Sequence, residues 1–264
     1  MGWFNKVLAK VGVGSAEVAL SMSKESFMQG ETAAMKVTVS GGKTPQSIDT
    51  ISFELRCDYM GWEQLRANDE QGRKRQRRRL SHTLVKWQLP DTFTLQPGEV
   101  RQFETQCEIP LGTPLTMGDG KVWLSANLDI PMAKDASCKT LISISPSTDL
   151  NAVLEGFEEA GLRIDKVGNQ DVERSSLPFE QRIELAPISG RFLGVLQRIE
   201  LVVCSDEEGL QLGLTMLRQG EGMGDALGRL VGANKVKRSL AIAHNTSSER
   251  IRRDIGELLD KVEK

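Results

Sequence analysis

The sequence predicts an all-β protein of two domains with short helices at its margins. Three observations carry this: apolar residues alternate with polar ones through most of the chain, turn signals recur between those runs, and the alternation breaks near residue 146. The pattern is clearest over 51–59, where Ile51, Phe53, Leu55, Cys57 and Tyr59 interleave with Ser52, Glu54, Arg56 and Asp58. It recurs over 122–130, where Val122, Leu124, Ala126, Leu128 and Ile130 interleave with Trp123, Ser125, Asn127 and Asp129. Successive side chains of a strand point to opposite faces, so this period marks strands buried on one face, as in antiparallel sheets packed face to face.

At the start, Trp3, Phe4, Val7, Leu8 and Val11 fall at helical spacing opposite Asn5, Lys6 and Lys10, ahead of Gly12 and Gly14. This predicts an amphipathic helix over 2–12 within an N-terminal segment 1–14. Such a helix is too short to stand alone, so it must dock on its own protein, a partner or a membrane surface. Shorter strands are expected over 16–23, 33–40, 83–89, 100–109 and 137–145, separated by Gln29-Gly30-Glu31, Gln96-Pro97-Gly98 and Met117-Gly118-Asp119-Gly120. Strands at this spacing predict a first β-sandwich domain over 15–146.

Ser145-Pro146-Ser147-Thr148-Asp149 then offers a chain stop followed by helix-capping residues. A short inter-domain helix follows, with Leu150, Val153, Leu154 and Phe157 on one face and Gly161 as terminator. Alternation returns in Phe179, Ile183 and Leu185, in Ile199, Leu201 and Val203, and in Leu210, Leu212, Leu214 and Met216. These predict a second, smaller β-sandwich domain over 147–219. Residues 220–264 read as a glycine-rich linker, GEGMGDALG, and a C-terminal helix. The helix carries Ile251, Ile255, Leu258, Leu259 and Val262 on one stripe, with Ser247 or Ser248 as N-cap. Docking on the same chain is expected of it; homodimerisation is the other use of such a stripe.

Composition narrows the function classes. The 264 residues carry 39% apolar and 27% charged side chains with a net charge of −2, a balance that gives no overall attraction to nucleic acid or anionic membrane. Cys57, Cys107, Cys138 and Cys204 are widely spaced without CxxC pairs, so reduced thiols in a cytoplasmic protein are expected rather than disulfides or a zinc knuckle. No apolar run approaches the roughly 20 residues of a membrane-spanning helix. Lys6 and Lys10 interrupt the apolar start, so export is not expected.

Gly41-Gly42-Lys43-Thr44 ends like a phosphate-binding loop, but Val37 stands where the first glycine belongs, and Pro45 with Ile48-Asp49 leads into a strand rather than a helix. A turn between strands is expected there. GEGMGDALG is not a dinucleotide fingerprint, because Asp225 replaces its last glycine and no βαβ unit surrounds it. His82 and His244 are accompanied by no nucleophile elbow or metal-binding motif. No catalytic, cofactor or metal-binding residues are therefore assigned; a hydrolase site assembled from scattered residues, His82 among them, is the competing enzyme reading.

The strongest local feature is QGRKRQRRRL, residues 71–80, which holds six positive charges and no negative one. Read as a loop between strands, Arg73, Lys74, Arg75, Arg77, Arg78 and Arg79 form the candidate partner-binding site. Residues 147–184 hold nine acidic and four basic side chains, a net of −5, so the complementary surface is an acidic one, either that of the chain's own second domain or that of a protein partner. Nucleic-acid binding would want aromatics interleaved with the arginines, and the run itself has none, so nucleic acid is the lesser reading.

Several elements together resemble the bacterial sporulation-control protein M family. They are the start ending in Val-Gly-Val-Gly-Ser-Ala, Phe27-Met28-Gln29-Gly30-Glu31, the Val-Thr-Val-Ser-Gly-Gly turn with Gln46-Ser47-Ile48-Asp49, and Leu177-Pro178-Phe179-Glu180-Gln181. The resemblance covers roughly residues 1 to 217. It implies two tandem arrestin-like β-sandwich domains and a non-enzymatic regulatory role, as an adaptor in cell-cycle or developmental control, with protein partners and no cofactor.

Overall fold

A computed structural model describes residues 4–8, 15–64, 75–90, 92–131, 135–173, 177–206, 208–219 and 234–261. It is mostly β, with two α-helices among the described residues. The chain divides into two compact units.

The first unit comprises Met1–Asp58, Arg79–Thr116 and Lys121–Ser145. One of its sheets has four antiparallel strands: β1 (Phe4–Leu8), β2 (Glu17–Met22), β4 (Thr32–Ser40) and β9 (Val100–Glu108), in that spatial order. In the other, β6 (Thr50–Gln64) pairs through its first half with β10 (Val122–Asp129), and β10 pairs with β11 (Ala136–Ser145). The long β7 (Arg75–Leu89) lies on the opposite side of β6. A two-stranded ribbon, β5 (Gln46–Ile48) with β8 (Phe93–Leu95), completes the unit. The alternation does the work expected of it: Ile51, Phe53, Leu55, Cys57, Val122, Leu124, Ala126 and Leu128 are all buried. Packed against them is the other sheet, through the contacts of β2 with β10 and β11.

Two features of this unit depart from the sequence reading. The N-terminal helix is not formed where the segment is described: Phe4–Leu8 is a strand, with Phe4 opposite Met22 and Leu8 opposite Ala19, and the rest of 2–12 lies outside the described residues. A segment this short cannot sustain a helix in water, whereas the free edge of β2 offers ladder pairing to Phe4, Val7 and Leu8. The peripheral membrane contact assigned to that helix loses its basis. Second, β3 (Ser26–Met28) pairs with β11 in parallel, Phe27 opposite Ile144, where only antiparallel pairs are expected. The long stretch of chain between them permits what a tight hairpin forbids.

The second unit comprises Tyr59–Arg78, Met117–Gly120 and Pro146–Lys264. The expected change near Pro146 coincides with the start of its last segment, and two earlier segments join it. Its sheet is an antiparallel meander of β12 (Leu162–Asp171), β13 (Phe179–Pro187), β14 (Leu196–Ser205), β15 (Gly209–Arg218) and β16 (Lys235–Ala243). A single parallel bridge, Gln170 to Met60, links β12 to the second half of β6. Strand order is therefore unbroken through β6, where separate sheets for the two halves are expected. β16 is also a correction, since 220–264 reads as linker and helix: its Lys235, Lys237 and Arg238 mask the alternation of Val236, Leu240 and Ile242. The GEGMGDALG segment lies outside the described residues.

Helix α1 (Thr148–Glu159) forms where expected, its N-terminus capped by the Ser147 hydroxyl, which accepts from the Leu150 amide at 3.3 Å. Gly161 ends it with φ +82°, and a Cβ there would meet the Ser189 carbonyl oxygen at 2.3 Å. Helix α2 (Ser248–Asp260) is capped by Ser247 and buries Ile251, Ile255, Leu258 and Leu259. It docks on α1, as expected. Gly156 lets the two helices approach closely: a Cβ on it would lie 3.0 Å from Ile255 Cβ and 3.2 Å from Arg252 Cα. Arg252 fastens the pair, reaching Glu155 at 2.9 Å and Glu159 at 3.1 Å.

A side chain at Gly156 therefore has nowhere to go. Gly156→Leu is expected to lower unfolding stability by about 1–3 kcal/mol, the cost of overpacking a closed interface. Urea denaturation of the full chain measures it, and an unchanged midpoint would mean that α2 does not dock there.

Candidate interaction surface

The basic run is not a solvated loop throughout, as the sequence suggests. From Arg75 onward it is the first part of β7, hydrogen-bonded to β6. The ladder needs only backbone groups, so arginines can occupy a strand while their side chains remain in water. Arg77, Arg78 and Arg79 are all exposed. The Arg75 side chain, and Arg73 and Lys74 altogether, lie outside the described residues.

The direction of β7 along β6 follows from its contacts. Trp87 stacks on Phe53 with ring centroids 5.1 Å apart, Lys86 meets Glu54 at 3.6 Å, and Arg78 donates to Glu63 at 2.7 Å. The two strands therefore run antiparallel, and the arginines lie beside the far end of β6. There the ring of Trp62 is 53% exposed. An exposed indole is thus brought to the same end of the ladder as three exposed guanidinium groups. The sequence reading missed it because Trp62 precedes Arg77 by fifteen positions; only the hairpin pairing joins them. Glu63 neutralises part of the charge of Arg78, at an exposed pair that contributes little to folding.

The two histidines belong to different units. His82 lies half-buried on β7, in the first unit. His244 places Nε2 2.8 Å from the Asp206 carbonyl oxygen, so that nitrogen carries the proton and donates, while Nδ1 faces the Asp149 carboxylate at 3.7 Å. Neither nitrogen is aimed at a nucleophile. Among the described residues, no group of three or more His, Cys, Asp or Glu is gathered to hold a metal ion. Gly41–Thr44 leads from β4 into β5 with no helix after it, as expected. The glycine is needed for space rather than for a left-handed backbone: a Cβ on Gly41 would sit 2.0 Å from the Gln96 carbonyl oxygen.

The cysteines are unpaired thiols. Burial pushes the Cys57 thiol up to about 12, helped by the charge of Asp58, and the buried Cys107 and Cys138 thiols up to about 11. Withdrawn from solvent, these three thiols are held protonated at neutral pH.

The comparisons with known proteins bear on what such a surface belongs to. A family model described as SpoOM protein matches residues 4–220. The chain belongs to the Spo0M family. It is 31% identical over 225 residues to the sporulation-control protein Spo0M of Bacillus subtilis strain 168, covering 84% of this chain and 83% of that one. The crystal structure of Spo0M from Bacillus subtilis superposes with a TM-score of 0.75 at 28% identity, covering 94% of this chain and 99% of the other. The family match thus ends before β16 and α2, while the structural match takes in nearly the whole chain. A regulatory role follows from membership, and no helix of the described residues is long and apolar enough to cross a membrane.

The thiols give a direct check of the packing. In native protein at neutral pH, exposed Cys204 should react with DTNB within minutes, and Cys57, Cys107 and Cys138 only on unfolding. Because folding raises their pKa values from an ordinary 9.0, the associated stability is complete below about pH 9 and is lost as pH rises towards 11–12. Rapid labelling of all four thiols in the native protein would contradict this.

Proposed function

We propose that this Spo0M-family chain is a non-enzymatic regulatory adaptor, built as two tandem arrestin-like β-sandwiches, that acts in the cytoplasm in cell-cycle or developmental control. Its docking surface is the basic end of β7 together with Trp62, and its partner is a protein with an acidic face. One observation carries the reading: Arg77, Arg78 and Arg79 are exposed on the stretch of β7 that pairs with the end of β6 carrying the exposed Trp62. Arginines on a strand lose less freedom on binding than arginines on a loop, and indole and guanidinium groups are the side chains most enriched at the energetic centres of interfaces. Arg73, Lys74 and Arg75 extend the same charge along the sequence.

The aromatic also supports a second reading. An exposed ring beside cations is a platform on which an unpaired base can stack, so single-stranded nucleic acid is the competing ligand. The two separate by salt dependence and by ligand.

Changing Arg75, Arg77, Arg78 and Arg79 together to Ser should abolish most affinity capture of partners from the native cell, while shifting unfolding stability by no more than about 0.5 kcal/mol. Capture by the natural sequence should weaken as salt is raised. Capture indifferent to the four changes would reject the adaptor surface. Mutation-sensitive binding to single-stranded or duplex nucleic acid at physiological salt, with a steep salt slope, would favour the second reading.

A further inference from the structure

A second surface lies in the later unit, on the outer edge of β16, and does not depend on the arginines of β7. β16 ends the meander: β15 pairs with one side of it, and no strand among the described residues pairs with the other. The hydrogen bonds that frame this ladder tell which backbone groups face outward. At one end the Arg218 amide donates to the Asn234 carbonyl, and at the other the His244 amide donates to the Glu208 carbonyl. Bonded and non-bonded pairs alternate in an antiparallel ladder, so the even-numbered residues of Lys235–Ala243 turn their backbone groups to β15 and the odd-numbered ones turn theirs away. Two contacts agree with this. The outward Lys237 carbonyl accepts from its own neighbour, Arg238 Nη1, at 2.9 Å, and the outward Ala243 carbonyl accepts from the Thr246 hydroxyl at 2.6 Å.

The charge on this edge is uncompensated. Lys235, Lys237 and Arg238 are exposed, and among the described residues none of them is held in an ion pair. Across the ladder they face Leu217, Thr215 and Leu214, which carry no charge. The next acid along that row, Glu200 opposite Thr215, is held by Arg198 at 2.9 Å. A free edge guarded by lysines refuses a strand of like charge, and the same lysines favour one of opposite charge.

We propose that this edge takes up an extended acidic segment of a partner protein as an added strand. Backbone pairing to Lys235, Lys237, Ser239 and Ala241 holds the segment, and aspartate or glutamate at alternate positions faces Lys235 and Lys237 on the solvent side of the sheet. Arg238 leaves the Lys237 carbonyl as the incoming amide replaces it, and its guanidinium is freed for a carboxylate.

The test is fluorescence anisotropy with the full chain and a labelled peptide of alternating glutamate and threonine, matched to the nine residues of β16. One control peptide carries lysine for glutamate, and another is methylated on its backbone nitrogens, which removes the donors that strand pairing needs. Binding should be saturable, and about tenfold or more weaker with either control. Changing Lys235 and Lys237 together to Glu should weaken it by a similar factor with the melting temperature retained. If that double change lowers the melting temperature, the methylated peptide and hydrogen exchange decide: the outward amides of Lys237, Ser239 and Ala241 should slow when the peptide is added. The four arginine-to-serine changes in β7 should leave binding unaltered, which separates this surface from the basic strand. No binding, equal binding of the methylated peptide, indifference to the lysine changes in a folded variant, or loss of binding with the four arginines would overturn the proposal. A chain that sediments as a dimer, and as a monomer once Ser239→Pro removes an outward amide, would give the edge to a second copy and overturn it too.

Discussion

The pairing of β6 with β7 is the interaction on which the functional reading of this protein depends. Each strand is fifteen residues long, and the backbone ladder between them fixes which side chains meet. Near one end it brings Trp87 onto the buried ring of Phe53, stacking an aromatic pair in the first unit. Near the other it brings Arg78 to Glu63, beside Trp62. Like charges in succession resist a compact arrangement, and a loop would let them spread. The ladder overrides that repulsion because its hydrogen bonds are made by the backbone, which is indifferent to side-chain charge, while the guanidinium groups stay in water.

Surface chemistry in the later unit has a different origin. There α1 is held from one side by α2, through the close approach at Gly156 and the two ion pairs of Arg252. Its side with Asn151, Leu154 and Glu158 lines an open cleft with β12 and β13, and Glu155 stands between the two, reaching Arg252 while lining that cleft.

Much of the architecture was legible because period-two alternation is a direct imprint of one-sided burial. The runs at 51–59 and 122–130 fall on β6 and β10, with every expected apolar position buried except Tyr59. The two helices were legible through their serine caps. The failures share a cause. In Phe4–Leu8 the apolar spacing suits a helix, but tertiary pairing with β2 decides a segment so short. In Lys235–Ala243 and in Arg75–Leu80, charged residues on the solvent side conceal strands whose stability comes from the neighbouring ladder. The arginines of the candidate site could be read from sequence; Trp62 could not be joined to them, since only the pairing of the strands makes them neighbours. The cleft was equally hidden, assembled from residues 117, 151–158, 162–164 and 185 that share no local motif.

The central claim is that the arginines stand on an ordered strand rather than a solvated loop, and native-state hydrogen exchange resolved by residue tests it most directly. The account predicts that alternate backbone amides of residues 76–80, those directed at β6, exchange as slowly as the corresponding amides of residues 81–89, because one ladder protects both. Unprotected exchange throughout 76–80, with protection beginning only after residue 81, would return the basic run to a solvated loop and contradict the account.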